Sequence, residues 1–220
     1  VKLLYINMIF LLHLLSIIHS NIDIITLNKY NHVSIKGTID SYTTSLFIND
    51  IEKITKKSVY LYIDSTGGSV HYGEKIIQYI EYKKQKKTIF ICIAHHAYSM
   101  AFHIYQHCNF RVVLPSSTIM QHQMSLSTNG SLENVQNHID LIHKINNYLI
   151  KIESKRLKIT NNEYKARISS DWWLYGLDII KYNTADIMIK GLGCHRDLML
   201  DNKEIVSNDK LIILSKCPLI

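Results

Sequence analysis

The sequence predicts an α/β fold, parallel strands covered by helices, and three observations carry that expectation. From residue 30 onward, short β-rich runs alternate with segments whose apolar residues recur at helical spacing; parallel strands need crossovers, and helices supply them. Two of the runs end in small residues and pass straight into a helical pattern, at "DSTGGSV" (64–70) and "AYSMA" (97–101). The chain has 220 residues, 47% of them hydrophobic, which suits one well-buried domain and is short for two.

The elements follow in order. Lys2 precedes "LLYINMIFLLHLLSII", an apolar stretch interrupted by Asn7 and His13. At about 16 residues it falls short of the roughly 20 that span hydrocarbon, so residues 1–20 read as a signal peptide, or else a membrane anchor or an extra buried helix. The domain itself is expected over 21–200, with a C-terminal extension at 201–220. Within it, "HVSIKG" (32–37) and "SVYLYID" (58–64) read as strands around a helix near 43–56. Val70, Ile76, Ile77 and Ile80 mark the next helix, and "TIFICIA" (88–94) the next strand. A short helix follows Ser99. "FRVVLP" and "TIMQHQ" read as two strands separated by Pro115 and two serines. Ser131 as N-cap, Glu133 in the first turn, and Val135, Ile139, Ile142, Ile145, Leu149 and Ile152 at three- and four-residue steps predict a long helix over 132–157. Its stripe is expected against the sheet or against another subunit.

Charge and cysteine content narrow the function. The net charge of +7 is dispersed apart from "KKQKK" at 83–87, which reads as a solvated loop, so no nucleic-acid partner is expected. Cys92, Cys108, Cys194 and Cys217 show no zinc-type spacing with one another or with paired histidines. No metal or cofactor is therefore expected. Cys92 reads as an inert thiol in a buried strand, and Cys194 and Cys217 as a pair if the chain is exported.

Chemistry converges on the two strand-to-helix turns. Ser99 is displayed where α/β proteins place their sites, with the N–H of Met100 beside it. Gly67 and Gly68 permit a turn that exposes backbone N–H groups, so Gly68 and Met100 are candidate oxyanion donors. His122 ends the "TIMQHQ" strand and is a candidate base, in competition with His95, His96, His103 and His107.

The succession "YLYIDSTGGSV", "AYSMA", "LPSSTIMQHQ", a long helix and "ARISSDWWL" resembles the proteolytic subunit of the Clp protease family over roughly Val33 to Ile189. The resemblance implies a crotonase-like spiral of ββα units with a long handle helix, and rings of subunits stacked through those helices. It implies Ser99 as nucleophile, His122 as base, Asp171 as the acid orienting the imidazole, and Gly68 and Met100 as oxyanion donors. Asp178 and Asp186 lie nearby in the sequence. An AAA+ unfoldase is the partner the family implies, yet the segment before His32 has no match to the family's docking region. Other departures are His95 where the family has glycine, expected to narrow the pocket, "STGG" for Ser-Pro-Gly-Gly, and Met124 for proline. The function these features predict is a serine endopeptidase acting on small or unfolded peptides. Its alternatives are a catalytically silent ring subunit and a crotonase-type acyl-thioester enzyme. The apolar N-terminus points to the secretory pathway or a membrane, the alternative being the cytoplasm or an organelle lumen.

Overall fold

The computed structural model describes residues 24–207 and 210–220, with the side chains of 202–214 outside the description. The expected leader, residues 1–20, lies outside the described residues. The order is β1 (Ile24–Leu27), β2 (His32–Ile39), α1 (Ser41–Glu52), β3 (Ser58–Gly68), α2 (Val70–Gln85), β4 (Ile89–Tyr98), α3 (Met100–Gln106) and β5 (Phe110–Gln121). Then come α4 (Leu132–Leu157), α5 (Asn161–Arg167), β6 (Trp172–Tyr175), α6 (Leu177–Lys181), β7 (Ile187–Met188), β8 (Gly191–Cys194), α7 (Arg196–Met199), β9 (Asn202–Ser207) and β10 (Lys210–Ser215). Strands β2, β3, β4 and β5 pair in parallel, β6 closes antiparallel on β5, and β7 pairs with β5 in parallel. The parallel pair β1–β8 forms a second small sheet, and β9–β10 an antiparallel hairpin. This is the α/β architecture expected, with parallel strands joined through helices.

Strand parity divides the apolar residues between two cores. Val59, Leu61 and Ile63 of β3 and Phe90, Cys92 and Ala94 of β4 face the helices, with Phe47, Ile51, Ile76, Ile77, Ile80 and Phe102. The opposite face packs Ile93 and Val112 on Ile25, Leu27, Ile189 and Leu198. Both faces are covered, which is why these strands read as continuous apolar runs in the sequence.

Three boundaries differ from expectation. α1 stops at Glu52, and β3 and β4 run on to Gly68 and Tyr98, directly into the turns that begin α2 and α3. The two runs expected as separate strands form one strand, β5, because side-chain bonds bridge its irregular middle. There the Ser117 hydroxyl donates to Ala94 O (2.6 Å) and accepts from Leu114 N (2.7 Å). The interruption at Pro115 survives as a register shift: Ala94 pairs with Val113, and His96 with Thr118.

Cys92 is not the free thiol expected. It is disulfide-bonded to Cys108, because the loop after α3 returns Cys108 to the helix-facing side of β4, with the Cα atoms 5.9 Å apart. Cys194 and Cys217 form a second disulfide that ties the C-terminal segment to β8. No helix among the described residues is long and apolar enough to cross a membrane.

Helix α4 spans the expected 132–157 and ends at Lys158 in the left-handed conformation. Its 26 residues make it about 39 Å long at 1.5 Å per residue. Only its last third is buried, through Leu149, Ile150, Glu153, Ser154 and Leu157. Upstream, Val135, Ile139, Ile142 and Ile145 are half-buried and Leu132 is 85% exposed, so the described residues cover most of the stripe only in part.

Candidate active site

Ser99 occupies a sharp turn between β4 and α3, at φ 53° and ψ −121°. A side chain in that region costs on the order of 1–3 kcal/mol and persists only where neighbours hold it. Here the Ser99 N–H donates to Met120 O (2.9 Å), and its carbonyl accepts from His103 N (3.2 Å) at the start of the helix. Gly67 makes room for the turn. A Cβ on Gly67 would stand 2.6 Å from Tyr98 O and 2.8 Å from Ser99 Cβ, so only glycine permits the "DSTGG" backbone to lie against Ser99.

His122 follows the last residue of β5. Its Nε2 is hydrogen bonded to Ser99 Oγ at 2.9 Å, so of the five histidines considered as bases it is the one joined to the serine. His96 instead bonds to Asp64, His103 to Glu153 and His107 to Glu81. His95 does not narrow this site: it lines a different cavity with Asp64, because a bulge in β4 turns it to the other face of the sheet. Gly68, Met100, Ser99 and His122 line one cavity of about 90 Å³, together with Met124, Asn146 and Leu149. Met100 opens α3, so its N–H has no acceptor within the helix. A larger cavity of about 530 Å³, between α1, β2 and the C-terminal segment, contains none of these groups; the small one carries the chemistry.

The acid is positioned differently. Asp171 lies in the exposed turn before β6, and none of Asp171, Asp178 and Asp186 is hydrogen bonded to His122 among the described residues. Asp186 is engaged elsewhere. Arg111, 1% exposed, donates to it from Nε (3.1 Å), Nη2 (2.6 Å) and its own backbone N–H (2.8 Å). Burial alone would raise the Asp186 carboxyl, but these bonds and the guanidinium charge hold it below the usual range.

A buried polar network supports the dyad from behind. Glu153 of α4, 1% exposed, accepts from Gln121 Nε2 (2.7 Å) and Tyr164 Oη (2.6 Å) and is bonded to His103 Nδ1 (2.9 Å). Gln121 Oε1 accepts in turn from the backbone N–H of His122 (3.1 Å). The network therefore ties the handle helix to the helix that begins at Ser99 and to the strand end that carries His122. Burial pushes His103 down, yet the Glu153 bond and the charges of Glu153 and of Glu74, 3.6 Å away, prevail and hold it at about 9. Sequence reasoning missed Glu153, and one signal for it existed: a lone acid on the face shared by Leu149 and Leu157.

A family model described as Clp protease matches residues 19–191, and the chain belongs to that family. Among its relatives, an ATP-dependent Clp protease proteolytic subunit of Chlorella vulgaris is 29% identical over 143 residues, covering 64% of this chain and 69% of the relative. Membership carries a protease role in the broad sense.

Proposed function

We propose that the chain is a serine-type endopeptidase that cleaves small or unfolded peptides through an acyl-enzyme. The single observation that carries this reading is the 2.9 Å bond between Ser99 Oγ and His122 Nε2 at a strained turn. In the reaction, His122 Nε2 takes the hydroxyl proton as Ser99 Oγ attacks the scissile carbonyl carbon. The N–H groups of Met100 and Gly68 receive the negative charge that develops on the carbonyl oxygen. His122 then returns the proton to the leaving amine, and water releases the acyl group by the same steps in reverse roles. The dyad needs no nucleotide; short peptides reach it by diffusion.

Asp171 favours a second reading of the same site. Exposed and unbonded to His122, it leaves the imidazole without a carboxylate partner among the described residues, as a latent or silent ring subunit would have it. In the active reading, the chain self-associates through the half-buried stretch of α4, and Asp171 engages His122 in the assembled form. We further propose that the chain works in an oxidising compartment, since two disulfides are typical of one, and that an unfoldase is the partner of the assembled ring.

Labelling with a fluorophosphonate followed by peptide mapping tests the proposal. Modification is expected at Ser99, absent in Ser99→Ala and strongly reduced in His122→Ala. Undiminished labelling of Ser99→Ala removes the serine from the mechanism. An assembled sample that neither labels nor cleaves any member of a fluorogenic peptide library identifies the silent subunit.

A further inference from the structure

The sheet face opposite the catalytic helices carries a second constellation, and a bulge builds it. Along β4, Phe90, Cys92, Ala94 and Ala97 face the helix-side core, whereas Ile91 and Ile93 pack on the opposite side. The step from 94 to 97 breaks the alternation of a strand. The pairing shows where: Ile63 pairs with Ala94 but Asp64 with His96, so His95 is an extra residue in β4. A bulged residue re-aims the side chains around it, and here His95 and His96 emerge on one face as neighbours, their ring centroids 4.2 Å apart. Asp64 follows Tyr60 and Tyr62 on that same face of β3. Its Oδ1 lies 2.7 Å from His96 Nδ1.

We propose that Asp64, His95 and His96 form a binding site for a borderline divalent transition metal of the zinc type. One ligating atom from each of the three lies within 4.8 Å of the others. A tetrahedral ion with bonds of about 2.0–2.1 Å holds its ligands roughly 3.3 Å apart, so the set has to contract by no more than about 1.5 Å to hold one. Two imidazoles and one carboxylate are the donor mixture that zinc accepts, whereas magnesium and calcium prefer oxygen donors throughout. All three residues are half-buried, which limits competition from solvent. Asp64 and His95 also border a cavity of about 260 Å³ lined by Lys36, Tyr62 and Leu114. Three protein ligands beside open space leave a coordination position for water or a small anion, the pattern of an accessible site rather than a closed structural one. Sequence spacing conceals this site, because adjacent histidines in a regular strand point to opposite faces. It is independent of the Ser99 chemistry.

The test is calorimetric titration of the full, untagged chain with Zn²⁺, and spectroscopy of the same samples with Co²⁺. Wild type is expected to bind one ion per chain and to give the strong visible bands of low-coordinate cobalt. His95 makes no hydrogen bond among the described residues, so His95→Ala removes a ligand while leaving the His96–Asp64 bond intact. That variant should bind at least about 100-fold more weakly, with Asp64→Asn also impaired and the control His143→Ala, on exposed α4 surface, unchanged. Circular dichroism without metal checks that each variant is folded. Absence of stoichiometric binding by wild type, or equal binding by folded His95→Ala, overturns the proposal; equal loss in His143→Ala also overturns it, by assigning the binding to scattered surface histidines.

Discussion

Replacing Glu153 with glutamine should weaken the fold in a pH-dependent way. The substitution keeps the size of the side chain and leaves Gln121 and Tyr164 a polar neighbour, but removes the charge facing His103, itself 1% exposed. Folding holds His103 at about 9 against an ordinary value near 6.5, a difference equivalent to roughly 3 kcal/mol. Because the folded value is the higher, that contribution is complete below about pH 6.5 and is lost as pH rises through about 9. Breaking a buried pair from one side costs about 3–5 kcal/mol. Wild type should therefore exceed Glu153→Gln by about that much near pH 6, and the gap should narrow as pH rises through about 9, by the share of that roughly 3 kcal/mol that Glu153 rather than Glu74 supplies. Urea unfolding followed by circular dichroism in half-unit pH steps measures both curves. Taking their difference cancels titrations common to both proteins, including those of His32 and Glu81. His107 and Glu74 face the same imidazole, at a 5.0 Å ring distance and a 3.6 Å Nε2 to Oε1 separation, and both remain in the variant. A gap that is constant with pH, or below about 1 kcal/mol throughout, would refute the assignment of a charged His103–Glu153 pair.

Other substitutions separate the remaining roles. Asp171→Asn should lower kcat of the assembled protein by about 10²- to 10⁴-fold with little change in KM; an unchanged kcat would mean that Ser99 and His122 act as a dyad. Ile139→Asp with Ile142→Asp should give smaller species in sedimentation without loss of helicity, because both residues are only half-buried in their own chain; an unshifted profile would exclude α4 from the interface. Leu149 is unsuitable for that purpose, since it belongs to the chain's own core. Replacing Cys92 and Cys108 together by alanine opens a loop with a separation of 16 residues and should cost about 3 kcal/mol, or roughly 6–12 °C in Tm. A Tm within about 2 °C of wild type would show that this bridge does not form.

The limits of sequence reading follow from which interactions are local. Helix α4 was legible to the residue because apolar periodicity is a property of adjacent turns, and Ser131 stands at the N-cap position although its side chain makes no capping bond. The candidate dyad was legible in part: a strand-to-helix turn marks Ser99 and a strand end marks His122, and only their order along a familiar succession joined them. The contact itself spans 23 residues through the β4–β5 pairing. Glu153 and His103 meet across 50 residues, and nothing in either local pattern announces the other. Arg111 and Asp186, separated by 75 positions, are equally silent in one dimension, which is why sequence alone does not separate Asp186 from Asp171 as the acid, whereas the guanidinium does.

The "HHAY" segment shows a different kind of limit. Counting alternate residues back from Ala97 through a regular strand puts His95 on the catalytic face and His96 on the other. One inserted residue reverses the parity of all that precedes it, so His95 joins Ile91 and Ile93 rather than Ala97. The direct consequence is that the bulky replacement of the family's glycine leaves the cavity beside Ser99 untouched and adds an imidazole to the opposite face. Divergence at this position is thus compatible with an intact nucleophile, because the bulge separates the two faces chemically while the β4 backbone still delivers Ser99 to its turn. Removing the bulge by deleting His95 would test that separation in one step. Deletion should slide Asp64 opposite a residue of altered parity, disturb the Ser99 turn through Tyr98, and abolish fluorophosphonate labelling, whereas His95→Ala should leave labelling intact. Loss of labelling in folded His95→Ala would mean that the imidazole acts on the catalytic face after all, and the assignment of the two faces would fall.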